Sequence, residues 1–252
     1  MPSHSKFEVR PLTELAEFGK AVELQKEIWG FQDIDVLPLR FFVVATKIGG
    51  QAFGAFYGDR MIGFCIAIPG VRSGGKTYLH SHMLGVLPEF RNSGVGRKMK
   101  LMQRDEALGR GIDLIEWTFD PLELKNAYFN IERLGVIVRQ YRPNQYGIST
   151  STLQGRLPTD RCVAEWWLWS PRVRTILAGQ PPQRNPIEAT IAIPSDIGTI
   201  RQENPERARE IQQTAAGQFA AALSRDLVVV GFEKAEQAGT YLLAKWDSSQ
   251  TR

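Results

Sequence analysis

The sequence predicts a mixed α/β fold, because two kinds of apolar patterning alternate along the chain. The segment "QAFGAFYGDRMIGFCIAI" reads as two strands joined by a tight turn at Gly58-Asp59. Earlier in the chain, Leu15, Phe18, Val22 and Ile28 recur close to the 3.6-residue period of a helix. A chain of 252 residues with 43% hydrophobic content is also long enough to bury a substantial core.

The predicted elements follow one another in chain order with proline and glycine at their boundaries. They begin with a strand in "FEVRPL", the helix just described, a helix in "LPLRFFVVATKIGG" that stops at its glycine pair, the hairpin, and the strand "TYLHSHMLGV". They continue with a helix after Arg91, the strand "IDLIEWTF", the helix "LELKNAYFNIERLG" closed by Gly135, and the strands "VIVRQYR" and "RCVAEWWLW".

A break in the pattern at "AGQPPQRNP" separates a C-terminal region from the rest of the chain. Beyond it we expect the strand "EATIAI", one helix with Asn204 as N-cap and Pro205 at its first position, and the strands "LVVVGF" and "TYLLAKW". We therefore predict a main domain over residues 1–170 and a small α/β region over residues 183–252. No chemistry is evident in the second.

Composition limits the class of ligand and the compartment. A net charge of +4 and a pI near 9.1 suit an anionic ligand, but the basic residues are scattered, so we expect no nucleic-acid partner. No apolar run approaches the ~20 residues of a membrane span, and the N-terminus lacks an apolar signal core. Cys65 and Cys162 read as buried thiols, and no metal-ligand spacing is present. We expect a cytoplasmic protein with no membrane partner and no metal.

The most informative segment is the turn "LPEFRNSGVG", which lies between a strand ending near Val86 and the helix that follows. A helix N-terminus offers unpaired N–H groups, and glycines allow a phosphate to approach the backbone. Arg91, Arg97, Lys98 and Lys100 add positive charge. The string is neither a P-loop nor a dinucleotide-binding fingerprint. An ordinary turn with glycines for geometry alone is the competing interpretation.

The wider context favours the phosphate interpretation. The string "RNSGVG" matches the R/Q-x-x-G-x-G/A signature of the Gcn5-related N-acetyltransferases, the GNAT superfamily, and the lead-in Val86-x-Pro88-x-x-Arg91 and a helix ending in "RLG" are typical of it. The order of elements over residues 7–170 also resembles that family. The resemblance implies an α/β GNAT fold: a mixed, mostly antiparallel central sheet with a splayed signature strand flanked by helices, here with a small α/β C-terminal extension.

In this family the signature loop binds the pyrophosphate of acyl-coenzyme A through backbone N–H groups. Carried over by position, the cradle comprises Arg91, Asn92, Ser93, Gly94, Val95, Gly96 and Arg97. Pantetheine would lie along the backbone of Leu84, Gly85 and Val86, with the Leu84 N–H as oxyanion donor, and Asn126 and Asn130 would touch the coenzyme. The implied co-substrate is acetyl-CoA or another acyl-CoA.

The acceptor amine must lose a proton before it attacks, so a base is needed. His80 and His82 alternate onto one face of the signature strand. His80 falls where histone-type members of the family carry a glutamate base. The pair falls where arylalkylamine N-acetyltransferases carry two histidines. The resemblance therefore implies that at least one is functional, although paired strand histidines are more often hydrogen-bonded core residues.

The general acid is less well defined. Many family members use a tyrosine to protonate the departing thiolate, and Ile131 occupies that position here. Tyr128 lies one helical turn earlier and would reach the site only if the helix were rotated. The identity of the general acid is thus left open, with Tyr128 as the candidate. The thiol of coenzyme A is also acidic enough that a dedicated acid is dispensable.

Candidates for the acceptor pocket lie on later strands. Glu116 sits in an apolar strand, where a buried carboxylate needs a partner such as a substrate ammonium. Aromatic residues at the other positions are more often part of the packing. These other candidates are Trp117, Arg161, Glu165, Trp166 and Trp167.

The sequence thus predicts an N-acetyltransferase that transfers acetyl from acetyl-CoA to a primary amine of a small molecule by direct attack in a ternary complex. An N-succinyltransferase acting on amino acids is an alternative, in which Arg139, Arg142 or Arg161 would bind the succinyl carboxylate. A non-catalytic acyl-CoA-binding module on the same fold is another. The expected partner is a small-molecule amine or an amino acid, and a homodimer is left open.

Overall fold

The computed structural model describes residues 7–147, 149–151, 154 and 157–247. They form two compact units. The first takes in the described residues of Met1–Ile115 and Thr150–Leu153, and the second those of Glu116–Ser149 and Gln154–Arg252. The outer bounds of the two predicted domains, residues 1 and 252, lie outside the described residues, and the predicted division at residues 170–183 stays a prediction.

The first unit contains four strands and three helices in the predicted order. They are β1 (Phe7–Pro11), α1 (Leu15–Trp29), α2 (Leu39–Lys47), β2 (Gln51–Tyr57), β3 (Arg60–Val71), β4 (Thr77–Val86) and α3 (Val95–Gly109). The strands pair in the order β1-β2-β3-β4, each antiparallel to its neighbour. Gly58, with φ of 57°, turns the chain between β2 and β3 as the sequence predicts.

Helices cover both faces of this small sheet. Phe64 and Gly63 are consecutive on β3 and therefore point to opposite faces. The Phe64 ring packs against Trp29 of α1 and Phe42 of α2, each with ring centroids 5.9 Å apart. On the other face, a Cβ placed on Gly63 would lie 3.4 Å from the Met99 side chain of α3. The strand β3 is therefore packed between α1 and α2 on one side and α3 on the other.

The second unit holds the remaining elements. They are β5 (Leu114–Phe119, which begins at the end of the first unit), α4 (Leu124–Tyr128), a π-helix (Phe129–Leu134), β6 (Ile137–Arg142), β7 (Arg161–Trp167), α5 (Pro171–Leu177), β8 (Ala189–Pro194), α6 (Ile197–Glu203), α7 (Pro205–Leu223), β9 (Leu227–Lys234) and β10 (Ala238–Lys245). The strand order is β5-β7-β6-β9-β10-β8. The Phe219 ring of α7 packs between Tyr141 and Tyr241, at centroid distances of 4.9 and 5.2 Å.

The C-terminal region contains the predicted elements and more. The Asn204 side chain accepts a hydrogen bond from the Arg207 N–H at 3.0 Å, which confirms the predicted N-cap of α7. The helices α5 and α6 were not predicted, since seven residues give too few turns for a clear apolar period. The pairing of Val138 on β6 with Val229 on β9 joins this region to the preceding strands.

The segment predicted as one helix before Gly135 differs from a regular α-helix. The α4 geometry ends at Tyr128, and the next six residues form the π-helix, which Gly135 closes with φ of 84°. Side chains from later in the chain bind its C-terminal carbonyls: Arg172 Nε donates to the Gly135 oxygen at 3.1 Å, and Trp166 Nε1 donates to the Leu134 oxygen at 2.7 Å. These distant donors satisfy carbonyls that a helix end leaves unpaired. Among the described residues, no helix is both long and apolar enough to cross a membrane.

Candidate active site

A loop joins the end of β4 to the first turn of α3. The chain passes through a short 3₁₀ turn at Pro88–Phe90 and then takes left-handed conformations at Asn92, with φ of 61°, and at Gly94, with φ of 90°. The Lys98 N–H donates to the Gly94 oxygen at 3.0 Å and closes the first turn of α3. The N–H groups just before it precede the hydrogen-bonded ladder of the helix, as at any helix N-terminus. The loop therefore presents an electropositive helix end.

Two side chains fix the shape of this loop. Arg91 donates from Nε to the Val86 oxygen at 3.3 Å and from Nη2 to the Ile28 oxygen at 3.2 Å. The Ser93 hydroxyl donates to the Phe90 oxygen at 2.5 Å. Arg91 thus connects the end of β4 to the last turn of α1, because its guanidinium donates hydrogen bonds to backbone oxygens of both elements.

The two signature glycines border space that the described protein atoms do not fill. A Cβ placed on Gly94 would meet no atom within 4 Å, and one placed on Gly96 would meet only Leu84 Cδ2, at 3.7 Å. Gly85 on β4 differs, because its Cβ would lie 2.7 Å from the Trp29 ring and 2.8 Å from Ile28 Cδ1. Open space beside free helix N–H groups fits a pyrophosphate. Gly85 instead serves close packing.

Replacing Gly85 by alanine is expected to destabilise the protein by about 1–3 kcal/mol, because the added methyl overlaps the Ile28 and Trp29 side chains of α1, which must shift to admit it. Urea unfolding of the variant measures the loss. Alanine at Gly109, whose Cβ would meet nothing within 4 Å, provides the comparison and should not destabilise. Equal stability of G85A and the parent protein would contradict the close approach of α1 to β4.

Two of the basic residues expected to add charge at the loop are bound elsewhere. Lys98 Nζ donates to the Phe7 oxygen at 2.7 Å. Lys100 is buried, and its Nζ donates to the Ser81 hydroxyl at 2.8 Å. Burial lowers the pKa of Lys100 to about 7, because the charged form is desolvated. The expectation that Lys100 supplies charge to a bound polyanion is therefore wrong.

Lys100 instead belongs to a buried polar cluster between α3 and β4. The Ser81 hydroxyl accepts from Lys100 and donates to Gln103 Oε1 at 3.1 Å. Gln51 on β2 donates to the Gln103 backbone oxygen at 2.9 Å. Ser81 lies between the two histidines in sequence, so this cluster attaches the histidine-bearing stretch of β4 to the helix that begins at the glycine loop.

A β-bulge interrupts β4 at His82. Ser81 pairs with Ala67 and Met83 pairs with Ile66, so the register leaves His82 with no opposite residue on β3. The extra residue shifts the side-chain alternation. Ser81 bonds to α3, and Leu84, three positions later, also lies against α3 at Gly96. The bulge therefore changes the direction of the backbone between the histidines and the segment predicted to bind pantetheine.

The two histidines lie side by side, as their alternation predicts. Both are half-buried, their ring centroids are 6.2 Å apart, and the His82 ring lies 6.0 Å from that of Phe41 on α2. Burial lowers the pKa of His82, and the neighbouring His80 lowers it further. His82 is thus neutral over more of the physiological pH range than an exposed histidine, and a neutral imidazole can accept a proton.

The candidates carried over to later positions lie in the second unit. Glu116 on β5 is half-buried. Lys234 Nζ stands 3.8 Å above the centre of the Tyr128 ring, which places Tyr128 in a cation–π contact. Asn130 is buried and donates to Asn126 Oδ1 at 3.3 Å. These contacts describe the local surroundings of each residue and leave its predicted role a proposal.

The other acceptor-pocket candidates are engaged in packing and ion pairs of the same unit. Trp166 is fully buried with its N–H bonded to the π-helix. Glu165 accepts hydrogen bonds from Arg139 and, at 2.9 Å, from Trp167 Nε1. Arg161 donates to Gln154 Oε1 at 3.0 Å. For the tryptophans, this packing agrees with the simpler interpretation of the sequence.

A small antiparallel sheet whose bulged strand leads into an open glycine loop at a helix N-terminus agrees with the fold that the resemblance to acyl-CoA-dependent acetyltransferases implies. Residues 20–135 match the model of the acetyltransferase (GNAT) family. The chain therefore contains a GNAT acetyltransferase domain, and the recognition made from the signature is confirmed. The predictions of an α/β GNAT fold and of an acyl-CoA-dependent N-acetyltransferase class are confirmed with it.

Solved structures with this fold are similar over about two thirds of the chain. The Salmonella typhimurium protein yncA, solved with its cofactor acetyl-CoA, is 15% identical, with a TM-score of 0.52 over 65% of this chain and 95% of that one. Arabidopsis thaliana NAA60, in complex with a bisubstrate analogue, is 14% identical, with a TM-score of 0.52 over 64% and 97%. The ribosomal-protein-S18-alanine N-acetyltransferase of Escherichia coli is 15% identical, with a TM-score of 0.50 over 72% and 99%. No curated protein sequence matches.

Proposed function

We propose that the protein transfers an acetyl group from acetyl-CoA to a primary amine of a small molecule, by direct attack within a ternary complex. The observation that carries this proposal is the unfilled space at Gly94 and Gly96, beside the N-terminus of a helix attached to a strand with two adjacent histidines. The open space beside the helix N-terminus suits a pyrophosphate, and the histidines suit the role of a proton acceptor.

The coenzyme would be bound mainly by backbone groups of the first unit. The N–H groups of the loop from Asn92 to Arg97 would donate to the pyrophosphate, and Arg91 would hold the loop in shape through its bonds to Val86 and Ile28. Pantetheine would extend along β4 from Val86 toward Leu84, as an added strand does. The backbone N–H of Leu84 would then stabilise the oxyanion that forms on the thioester carbonyl.

The histidine pair would remove the proton from the acceptor. An ammonium has no lone pair, so the amine must be deprotonated before its nitrogen attacks the thioester carbon. His82, with its lowered pKa, is the proposed base, and His80 would pass the proton onward through water. Formation of the C–N bond is accompanied by cleavage of the C–S bond, and the thiolate released takes up a proton.

The assignments in the second unit rest on the family resemblance alone. Glu116 is proposed to bind the acceptor ammonium, Asn126 and Asn130 to contact the coenzyme, and Tyr128 to donate the proton to the thiolate.

Titration calorimetry with acetyl-CoA tests the proposal, with succinyl-CoA as the parallel donor. We expect micromolar binding of acetyl-CoA, and in Gly96→Val a loss of at least tenfold in affinity, because the new side chain occupies the space proposed for phosphate. The three arginines named as partners of a succinyl carboxylate already bond protein side chains: Arg139 pairs with Glu165, Arg142 donates to Gln140 and Arg161 donates to Gln154. We therefore expect acetyl-CoA to bind more tightly than succinyl-CoA.

Gly109→Val is the matched control. Gly109 also belongs to α3 and also has no neighbour within 4 Å of its Cβ position, but it lies at the opposite end of the helix. Its valine variant should bind acetyl-CoA as the parent protein does. Absence of binding to both thioesters, or equal affinity in G96V and the parent protein, would overturn the coenzyme site and with it the proposed function.

A further inference from the structure

The sheet surface that carries the histidines is aromatic and apolar. Tyr78 and His80 alternate onto one face of β4, and the register places Gly70 opposite Tyr78 and Ile68 opposite His80. The ring of His82, at the bulge, lies beside that of His80 with centroids 6.2 Å apart. The Tyr78 ring covers Gly70, since a Cβ there would lie 2.5 Å from Tyr78 Cε1. Tyr78, Ile68 and both histidines are half-buried, so this surface is partly accessible.

An apolar strip on α2 continues this surface toward solvent. It consists of Phe41 and Val44 of α2 and of Ile48, the residue that caps the helix and whose N–H donates to the Val44 oxygen at 3.0 Å. The three residues follow one another at spacings of three and four. Phe41 contacts the His82 ring, whereas Val44 and Ile48 are 53% and 57% exposed. The three side chains thus form an apolar surface that extends from solvent-exposed positions to the proposed base, His82.

The charge of this surface discriminates between classes of amine. None of the side chains of the strip or of the histidine face is a carboxylate, and the nearest charged residues on α2, Arg40 and Lys47, are cationic and exposed. An acceptor with several ammonium groups, such as a polyamine or an aminoglycoside, needs a set of carboxylates to hold its charges. An amine with one ammonium and an aromatic or long apolar group needs mainly apolar area.

We propose that the acceptor is a monoamine carrying an aromatic or long apolar group, which lies against the strip of Phe41, Val44 and Ile48 while its nitrogen reaches His80 and His82. This inference rests on the proposed function. In the reaction the base takes one proton from the ammonium, the amine nitrogen then forms a bond to the acetyl carbon, and the thioester C–S bond breaks. The nitrogen gives up its second proton as the amide forms, and the thiolate takes up a proton to leave as the thiol.

The first experiment measures release of free coenzyme A with a panel of amines at saturating acetyl-CoA. The panel contains 2-phenylethylamine, hexylamine, spermidine and kanamycin. We expect kcat/KM for the first two to exceed that for the last two by at least about tenfold, the discrimination that a small apolar contact can supply. A preference for spermidine or kanamycin, or acetylation of none of the four by protein that binds acetyl-CoA, would overturn the acceptor assignment.

Two variants locate the contact. Phe41→Ala is expected to raise KM for 2-phenylethylamine about tenfold and to leave the Kd of acetyl-CoA unchanged. Val44→Glu should raise KM for 2-phenylethylamine and lower it for spermidine, because it adds a carboxylate to the strip. Val44 is 53% exposed, so we expect the variant to fold as the parent protein does. Ile34→Glu changes another exposed apolar residue, 85% exposed and outside α2, and should change neither KM.

The outcomes separate this inference from the proposed function. If acetyl-CoA does not bind, the coenzyme site fails and the acceptor assignment falls with it. If acetyl-CoA binds normally but F41A and V44E leave KM for 2-phenylethylamine unchanged, the acceptor does not lie on the strip, and only the acceptor assignment is overturned.

Discussion

Replacement of His82 by glutamine is expected to lower kcat for the preferred amine by about 10²–10³-fold, the usual contribution of a positioned general base. Glutamine keeps the approximate size of the side chain but cannot accept a proton near neutral pH. Binding of acetyl-CoA should be unchanged, because the proposed cradle lies in the loop that follows the C-terminal end of β4, away from His82. Steady-state kinetics and calorimetry on the same preparation measure both quantities.

The pH dependence of kcat gives this prediction a second readout. The base acts only when it is deprotonated, so activity should rise as pH increases through the pKa of His82. That pKa lies below the ordinary histidine value because of burial first and of His80 second. His80→Gln removes the second cause, so the acidic limb of the profile should move to higher pH while burial keeps it below the ordinary value. A limb that does not move, or full activity in H82Q, would exclude His82 as the base.

The largest loss of stability is expected from Arg201→Met. The Arg201 side chain is 4% exposed and donates to Asp120 Oδ2 at 2.7 Å and to Glu123 Oε1 at 2.9 Å. Removing the guanidinium leaves Asp120, also buried, as an uncompensated charge, which costs about 3–5 kcal/mol. Urea unfolding monitored by circular dichroism measures the change.

An exposed ion pair provides the control for this prediction. Arg207 bonds Glu210 at 2.8 Å on the surface of α7, with both side chains at least 60% exposed, and Arg207→Met should cost less than about 1 kcal/mol. Adding Asp120→Asn to Arg201→Met should recover part of the loss, since it removes the stranded charge. Equal effects of R201M and R207M would show that the buried pair does not stabilise the second unit.

Much of the fold could be predicted because its signals are local. The start of α7 follows from Asn204 and Pro205, the turn after β2 from Gly58, and the end of the helix before β6 from Gly135. Each depends on a backbone conformation or a cap that one or two residues determine. The glycine loop belongs to the same group, because its left-handed conformations at Asn92 and Gly94 are set by local residues. Its role in binding the coenzyme stays a prediction.

Features that depend on contacts distant in sequence could not be predicted. The π-helix Phe129–Leu134 has its carbonyls bound by Arg172 and Trp166, more than thirty residues later. Lys100 reads as a surface cation in the helix pattern, but it lies beneath β4 because Ser81 accepts its hydrogen bond. The bulge at His82 is a property of the pairing of β3 with β4, and nothing in the β4 sequence alone specifies it.

The attachment of β4 to α3 has a consequence for the choice of acyl donor. Lys100 bonds Ser81 near the histidines, Gly96 lies against Leu84, and Arg91 bonds Val86 at the end of the strand. Two of these contacts attach α3 to β4, and the third attaches the loop to the end of the strand. Together they hold the backbone from His82 to Val86, which is roughly 13 Å long when extended. The pantetheine arm is common to all acyl-CoA donors. In the proposed binding mode it lies along this segment of β4, which would place every thioester carbon at the same depth. Discrimination between short and long acyl groups must therefore arise beyond the thioester.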